Sequence, residues 1–195
     1  NEEGAIGKTI KSASQEIPEA TIYVCDNNSS DRTKLESEKF GAKTLFEPRK
    51  GKGYAVRRLL RDVDADIYIM VDGDNTYSLV GIKKAVDLML SADLDLMTGN
   101  RFEEKDRSIM RKGHRLGNSI FTTFLKFTCD VRTSDIFSGL RIISRRLVDC
   151  FPMLSSEFEV EAELSIFAAR MKVPTKDFPT YVKRRDGTKS KLNTY

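Results

Sequence analysis

At 195 residues, 39% hydrophobic and 32% charged, the chain is long enough for one domain with a substantial core, and two small domains fit it less well. It holds no run of 18 apolar residues and no basic-then-apolar leader, which excludes a membrane span within these residues and a visible secretion signal. The net charge of +4 is unevenly spread: residues 1–100 carry 14 Lys and Arg against 17 Asp and Glu, residues 101–195 carry 19 against 12. A basic half suits nucleic acid, an anionic membrane surface or phosphorylated small molecules, and also a plain solvated surface.

The chain opens at NEEGAIGKTI, a loop leading into a helix. An α/β sheet normally starts with a buried strand, so the natural protein is expected to be longer at its N-terminus, and the abrupt close at KSKLNTY suggests the same at the other end. Residues 21–25 (TIYVC) are the first strand candidate, ending at Asp26; residues 43–46 are a weaker one. Residues 67–71 are the strongest, and 94–98 follow. Between them Ala55, Val56, Leu59, Leu60 and Val63, then Ile82, Val86, Met89 and Leu90, recur at helical spacing. Val160, Leu164, Phe167, Ala168 and Met171 mark a later amphipathic helix, and residues 173–182 return as an extended segment broken by Pro174 and Pro179. Short strands alternating with helices predict βαβ units and a mostly parallel sheet. Cys25, Cys129 and Cys150 form no CxxC pair and read as reduced, mostly buried thiols of a protein facing the cytosol.

The stretch IYIMVDGDNTY drives the most apolar strand into Asp72 and Asp74. Two carboxylates this close repel unless a cation lies between or beside them. In an open α/β sheet ligands bind beyond the carboxyl ends of the strands, and a second strand also ends in aspartate, at Asp26. Hard divalent cations such as Mg2+ or Mn2+ take one or two carboxylates plus substrate phosphates, so these residues suit a metal that holds a nucleotide diphosphate. DGDN also serves as an ordinary tight turn, and Ser29, Ser30 or Asp31 suffice to cap the next helix. A strand-end Asp26 gains nothing from that cap.

Taken in order, NEE, CDNNSSDRT, GKGYAVRRLL, IMVDGDNTY, GNR, SDIFSGLRIISRR, FEVEAEL and YVKRRDGTKSKL resemble the family 2 glycosyltransferases, in particular the polyprenyl-phosphate branch that includes dolichyl-phosphate mannose synthases. The resemblance implies a GT-A fold: an α/β, Rossmann-like, mostly parallel sheet flanked by helices. Residues 1–195 would form a single catalytic domain lacking its first strand and any C-terminal membrane segments. It further implies inverting transfer of a sugar from a nucleotide diphosphate (UDP- or GDP-linked) to a lipid phosphate, with Mg2+ or Mn2+. By resemblance Glu2, Asp26 and Asp72 line the nucleotide pocket, Asp74 binds the metal, and Lys52 approaches the donor phosphates. Thr76 stands where many relatives place a metal-touching glutamine. Arg101 and Arg141 would lie near the donor or acceptor phosphates, and Asp135 would be a base or orienting group. Of Arg184, Arg185, Lys189 and Lys191, the pair Arg185 and Lys191 would close over the donor diphosphate.

A phosphate acceptor is already anionic, so it needs placement and charge screening more than deprotonation. Residues 110–131 join Arg111, Lys112, His114 and Arg115 to a stripe of Ile120, Phe121, Phe124, Leu125 and Phe127. Such a stripe suits a core helix, or an interfacial helix lying in a membrane surface with cations toward anionic head groups. His114 and Arg115 are candidates for the acceptor phosphate. One histidine and scattered cysteines exclude a structural zinc site.

The expected partners are a nucleotide sugar, a polyprenyl phosphate and a membrane surface at its cytoplasmic face, with a homo-oligomer as one option and no nucleic acid. Rival readings are a family 2 enzyme acting on a soluble polysaccharide or protein, a basic nucleic-acid-binding module, and a nucleotidyltransferase. A nucleic-acid module has no use for paired carboxylates that repel a phosphate backbone.

Overall fold

The computed structural model describes residues 1–102 and 112–183, with backbone alone over 112–119. Helix α1 (Ile6–Glu16) comes first, then β1 (Tyr23–Asp26), α2 (Thr33–Lys39), β2 (Lys43–Phe46), α3 (Lys52–Asp62), β3 (Ile67–Met70) and α4 (Ile82–Ser91). They are followed by β4 (Leu96–Asn100), α5 (Lys112–Cys129), β5 (Arg141–Ser144), α6 (Arg145–Cys150), α7 (Val160–Arg170) and β6 (Thr175–Pro179).

Strands β1 and β2 pair in parallel, with Tyr23 opposite Lys43 and Asp26 opposite Phe46. The other four form a sheet in the order β3-β5-β4-β6. Here β4 and β6 are parallel, while β5 runs against both β3 and β4. The expected α/β architecture and mostly parallel strand direction therefore hold, with β5 the reversed strand of the four-stranded sheet. Sequence periodicity does not announce β5: RIIS is four residues long and begins with an arginine.

Alternation along the central strands sorts the core onto two faces, since successive strand side chains point to opposite sides. Leu96 and Ile143 are register partners and pack with Val56 and Leu60 of α3, Leu147 of α6 and Leu164 of α7. Met97 and Ile142, the next pair, pack against Ile82, Ala85 and Met89 of α4, and against Leu140 and Phe178. Burying each such large side chain stabilises the fold by roughly 1.5–3 kcal/mol. A smaller cluster of Ile6, Ile10, Ala42, Ile22 and Val24 seats α1 on the β1–β2 pair. Chain turns are made where polar residues supply them. Ser144 caps α6 by accepting the Leu147 N–H, and α4 begins after Gly81 at φ +81°.

Candidate active site

The first strand end is strapped down by amides. Asp26 is buried, and its Oδ1 accepts the Ser29 N–H at 3.2 Å. That bond shapes the turn after β1 and is no cap of α2, whose N-cap position, Arg32, has no side-chain capping bond. Asn27 Oδ1 accepts the Gly51 N–H at 2.8 Å, and its Nδ2 donates to the Glu47 and Arg49 carbonyls. The turn after β1 is thereby tied to the loop that launches α3. Glu47 is buried under Arg49, whose guanidinium donates to both carboxylate oxygens at 2.8 and 3.1 Å. These bonds hold its carboxyl down to about 2.

Lys52 lies one residue into α3, and its Nζ is 2.5 Å from Asp72 Oδ1, just past the end of β3. The same ammonium pairs with Glu161 Oε1 on α7. Burial alone would lower the lysine, but the two carboxylates outweigh it and hold the ammonium above the usual lysine range. The cation that the sequence demands beside Asp72 is thus supplied by the chain itself. Glycines make the approach feasible: a Cβ at Gly51 or Gly53 would strike the Ser156 or Ser155 carbonyl, and one at Gly139 would strike Asp72 Oδ2. Gly139 is fixed in turn because its N–H donates to the buried Tyr77 hydroxyl at 2.7 Å.

In the DGD turn, Asp74 Oδ1 accepts the Thr76 N–H at 3.1 Å and the Thr76 hydroxyl at 2.6 Å. Thr76 therefore orients the carboxylate. Thr9 of α1 donates to the Gly73 carbonyl at 3.2 Å. Glu2 lies against the same turn, its Cγ 4.0 Å from where a Gly73 Cβ would stand. Its backbone is held by Thr33 Oγ1 and by the first N–H groups of α1. The fold thus brings Lys52 onto Asp72 and Glu2 against the DGD turn that carries Asp72 and Asp74, while the residue after Asp26, Asn27, is bonded to Gly51, next to Lys52.

Arg101 follows β4 and makes a two-pronged pair with fully buried Asp135, Nε to Oδ2 at 2.6 Å and Nη2 to Oδ1 at 2.7 Å. Burial opposes its charge, yet Asp135, with Tyr77 and Asp72 adding to the field, holds the guanidinium above its ordinary range. Arg141 is different. It is fully buried at the start of β5, and its guanidinium donates to the Ser138, Ile136 and Glu161 carbonyls and to the Thr98 and Ser165 hydroxyls. With its donors committed to neutral acceptors in the core, it cannot reach a phosphate without dismantling them. The expected catalytic role for Arg141 is corrected to a structural one.

On α5, Leu125 and Thr122 face inward, whereas Ile120, Phe121, Phe124 and Phe127 are exposed, Phe127 at 93%. Phe121 stacks on Phe137, centroids 5.3 Å apart, which ties this face to the loop bearing Asp135 and Gly139. Of the predicted stripe, Leu125 is in the core and the other four side chains are exposed. His114 and Arg115 fall on α5 where side chains are outside the described residues, and Arg184, Arg185, Lys189 and Lys191 are also outside them.

Sequence reasoning missed Tyr77, Gly139 and Glu161. Only Glu161 left a signal: it shares the helical face of Leu164 and Ala168, both buried, which marks it as an inward-facing carboxylate. Among the described residues no group of three or more His, Cys, Asp and Glu gathers to hold a metal. No described helix is long and apolar enough to cross a membrane.

Comparison with known proteins bears on this geometry. The chain is 47% identical over 115 residues to protein RfbJ of Shigella flexneri, covering 59% of this chain and 89% of that one. It is 31% identical over 176 residues to the glycosyltransferase AglJ of Haloferax volcanii, covering 89% of this chain and 58% of that one. A dolichyl-phosphate hexose transferase of the same organism is 28% identical over 148 residues, 76% of this chain and 64% of that one. The chain therefore spans about six-tenths of these two haloarchaeal relatives. Its fold matches glucosyl-3-phosphoglycerate synthase of Mycobacterium tuberculosis, solved with Mn2+, UDP-glucose and phosphoglyceric acid. The TM-score is 0.75 at 21% identity, over 96% of this chain and 69% of that one. The pattern of Glycosyl transferase family 2 matches residues 1–151, and with the GT-A-like fold this establishes that the chain belongs to that family and is a glycosyltransferase.

Proposed function

We propose that this domain transfers a sugar, with inversion, from a nucleotide diphosphate sugar to the phosphate of a polyprenyl phosphate at a membrane surface. The observation that carries the lipid acceptor is the exposed Ile120, Phe121, Phe124 and Phe127 face, stacked through Phe137 onto the loop that holds Asp135. Such a face is costly to leave in water and suits the acyl boundary of a bilayer. The name of the haloarchaeal hexose transferase supports the same acceptor class.

On the donor side, the half-buried carboxylates of the DGD turn are hard-oxygen donors. They fit a cation that completes its shell with phosphate oxygens and water. Asp74 would hold Mg2+ or Mn2+, which when bound would neutralise charge on the departing diphosphate. Glu2, Asp26 and Asp72 frame the nucleotide, and Lys52 offers a fixed positive charge to its phosphates. Arg101 spends two N–H donors on Asp135 and presents the rest of its fork to a phosphate oxygen. Asp135 orients that fork; an anionic acceptor needs no general base. Arg185, Lys191, His114 and Arg115 remain part of this reading as charges available to the two phosphates. We assign the enzyme to the cytoplasmic face, consistent with three free cysteines.

A soluble phosphate acceptor is the second reading, favoured by the structural likeness to an enzyme solved with phosphoglyceric acid. Thermal shift with UDP and GDP, each with Mn2+ or Mg2+, identifies the nucleotide, since a ligand of the folded state raises the melting point. The matching sugar nucleotide is then offered polyprenyl phosphate in vesicles and phosphoglyceric acid in solution. Transfer to the lipid alone is expected; transfer to the soluble acid alone would overturn the lipid reading.

A further inference from the structure

The first turn of α7 carries Glu159, Glu161 and Glu163 with divided roles. Glu163 accepts the Leu154 and Ser155 N–H groups at 2.7 and 2.9 Å, and Glu159 Oε1 accepts those of Ser156 and Glu157. These bonds shape the loop whose Ser155 and Ser156 carbonyls press on Gly53 and Gly51. Glu161 does none of this. It points into the core, 3% exposed, with Oε1 on Lys52 and Oε2 buried without a hydrogen-bond partner among the described residues. Burying a carboxylate is expensive when packing alone is wanted, and a neutral side chain of the same size would fill the space without that cost.

We propose that Glu161 is a positioning residue that fixes Lys52 beside the DGD turn, so that one ammonium N–H is presented to the donor diphosphate. An ammonium has three donors; Asp72 and Glu161 take two of them, from the strand end and from α7 respectively. The Phe158 ring, 5.9 Å away, closes another side. Without Glu161 the flexible lysine stem is anchored by Asp72 alone and is free to swing. This assignment rests on the donor reading above.

The test is a double-mutant cycle read by titration calorimetry with UDP–Mn2+ and GDP–Mn2+. Wild type is expected to bind one of them. Glu161→Gln should weaken that binding about tenfold, as should Lys52→Gln, and the double variant should bind no worse than Lys52→Gln alone. Glu161→Asp, which keeps the charge on a shorter stem, should recover part of the loss. A purely structural glutamate would weaken binding equally in both backgrounds, and that result, or an aspartate variant no better than the glutamine one, would overturn the assignment. Should Lys52→Gln not fold, the comparison of the aspartate and glutamine variants decides alone. If wild type binds neither nucleotide, the donor reading itself fails and this inference falls with it.

Discussion

The two sides of the site are built by opposite means. On the proposed donor side, backbone closeness does the positioning: Gly51, Gly53 and Gly139 each sit where a Cβ would collide with a carbonyl or with Asp72, and Lys52 is locked between two carboxylates. On the proposed acceptor side, side chains do it: Arg101 is held by Asp135, and α5 presents an open row of phenylalanines. A donor is the same molecule in every turnover and suits a rigid cradle. The lipid acceptor proposed above would arrive from a fluid phase, and a broad greasy landing face would suit it.

The sharpest way to break the comparison lies at the DGD turn. Asp74→Asn should lower divalent-dependent transfer about a thousandfold, the scale of several kcal/mol of lost charge stabilisation, with an unchanged circular dichroism spectrum. Normal metal-free activity in that variant would remove Asp74 as the ligand. The two arginines should separate next. Asp135→Asn strips Arg101 of its buried partner and should cost about 3 kcal/mol in chemical denaturation together with a fall in kcat. Arg141→Met should cost about 3 kcal/mol as well, by stranding buried hydroxyls and carbonyls, while donor KM in the folded enzyme stays put.

Smaller effects sharpen the acceptor side and the edge of the donor side. Phe124→Ser and Phe127→Ser should each weaken partition onto anionic vesicles about tenfold, with melting temperature unmoved because neither side chain is in the core. Glu47 provides the mildest test. Its folded carboxyl, held down by Arg49 to about 2, compares with 4.5 for the free group. A depressed carboxyl contributes stability that is fully present above the unfolded value and is lost as pH falls through the folded one. The melting-point difference between wild type and Glu47→Gln should therefore be constant from neutral pH to about 5 and vanish near 2.

Much of the carboxylate end around the DGD turn was legible because its signals are local. An apolar run ending in DGD, an Asp after TIYVC, and a lysine between two glycines each declare themselves within a dozen residues. The stripe of α5 was equally plain as a pattern, but only the packing divides it into a buried Leu125 and an exposed Ile120, Phe121, Phe124 and Phe127. What escaped depends on distant parts meeting. Tyr77 and Gly139 are 62 positions apart, and nothing near either predicts that the hydroxyl will catch that amide. Arg141 sits in a motif rich in functional residues, and only the fold reveals that its donors are already spoken for by Thr98, Ser165 and three carbonyls.

The reversed strand β5 constrains how this enzyme could change its acceptor. The segment carrying Asp135, Phe137 and Gly139 runs directly into a strand flanked on both sides by β3 and β4, so lengthening or shortening it would drag the middle of the sheet out of register. Loops that end in a sheet interior tolerate insertions poorly. If the outer face of α5 meets the acceptor, as proposed, new acceptor preferences should arise by exchanging residues there, leaving the length of the connecting segment untouched.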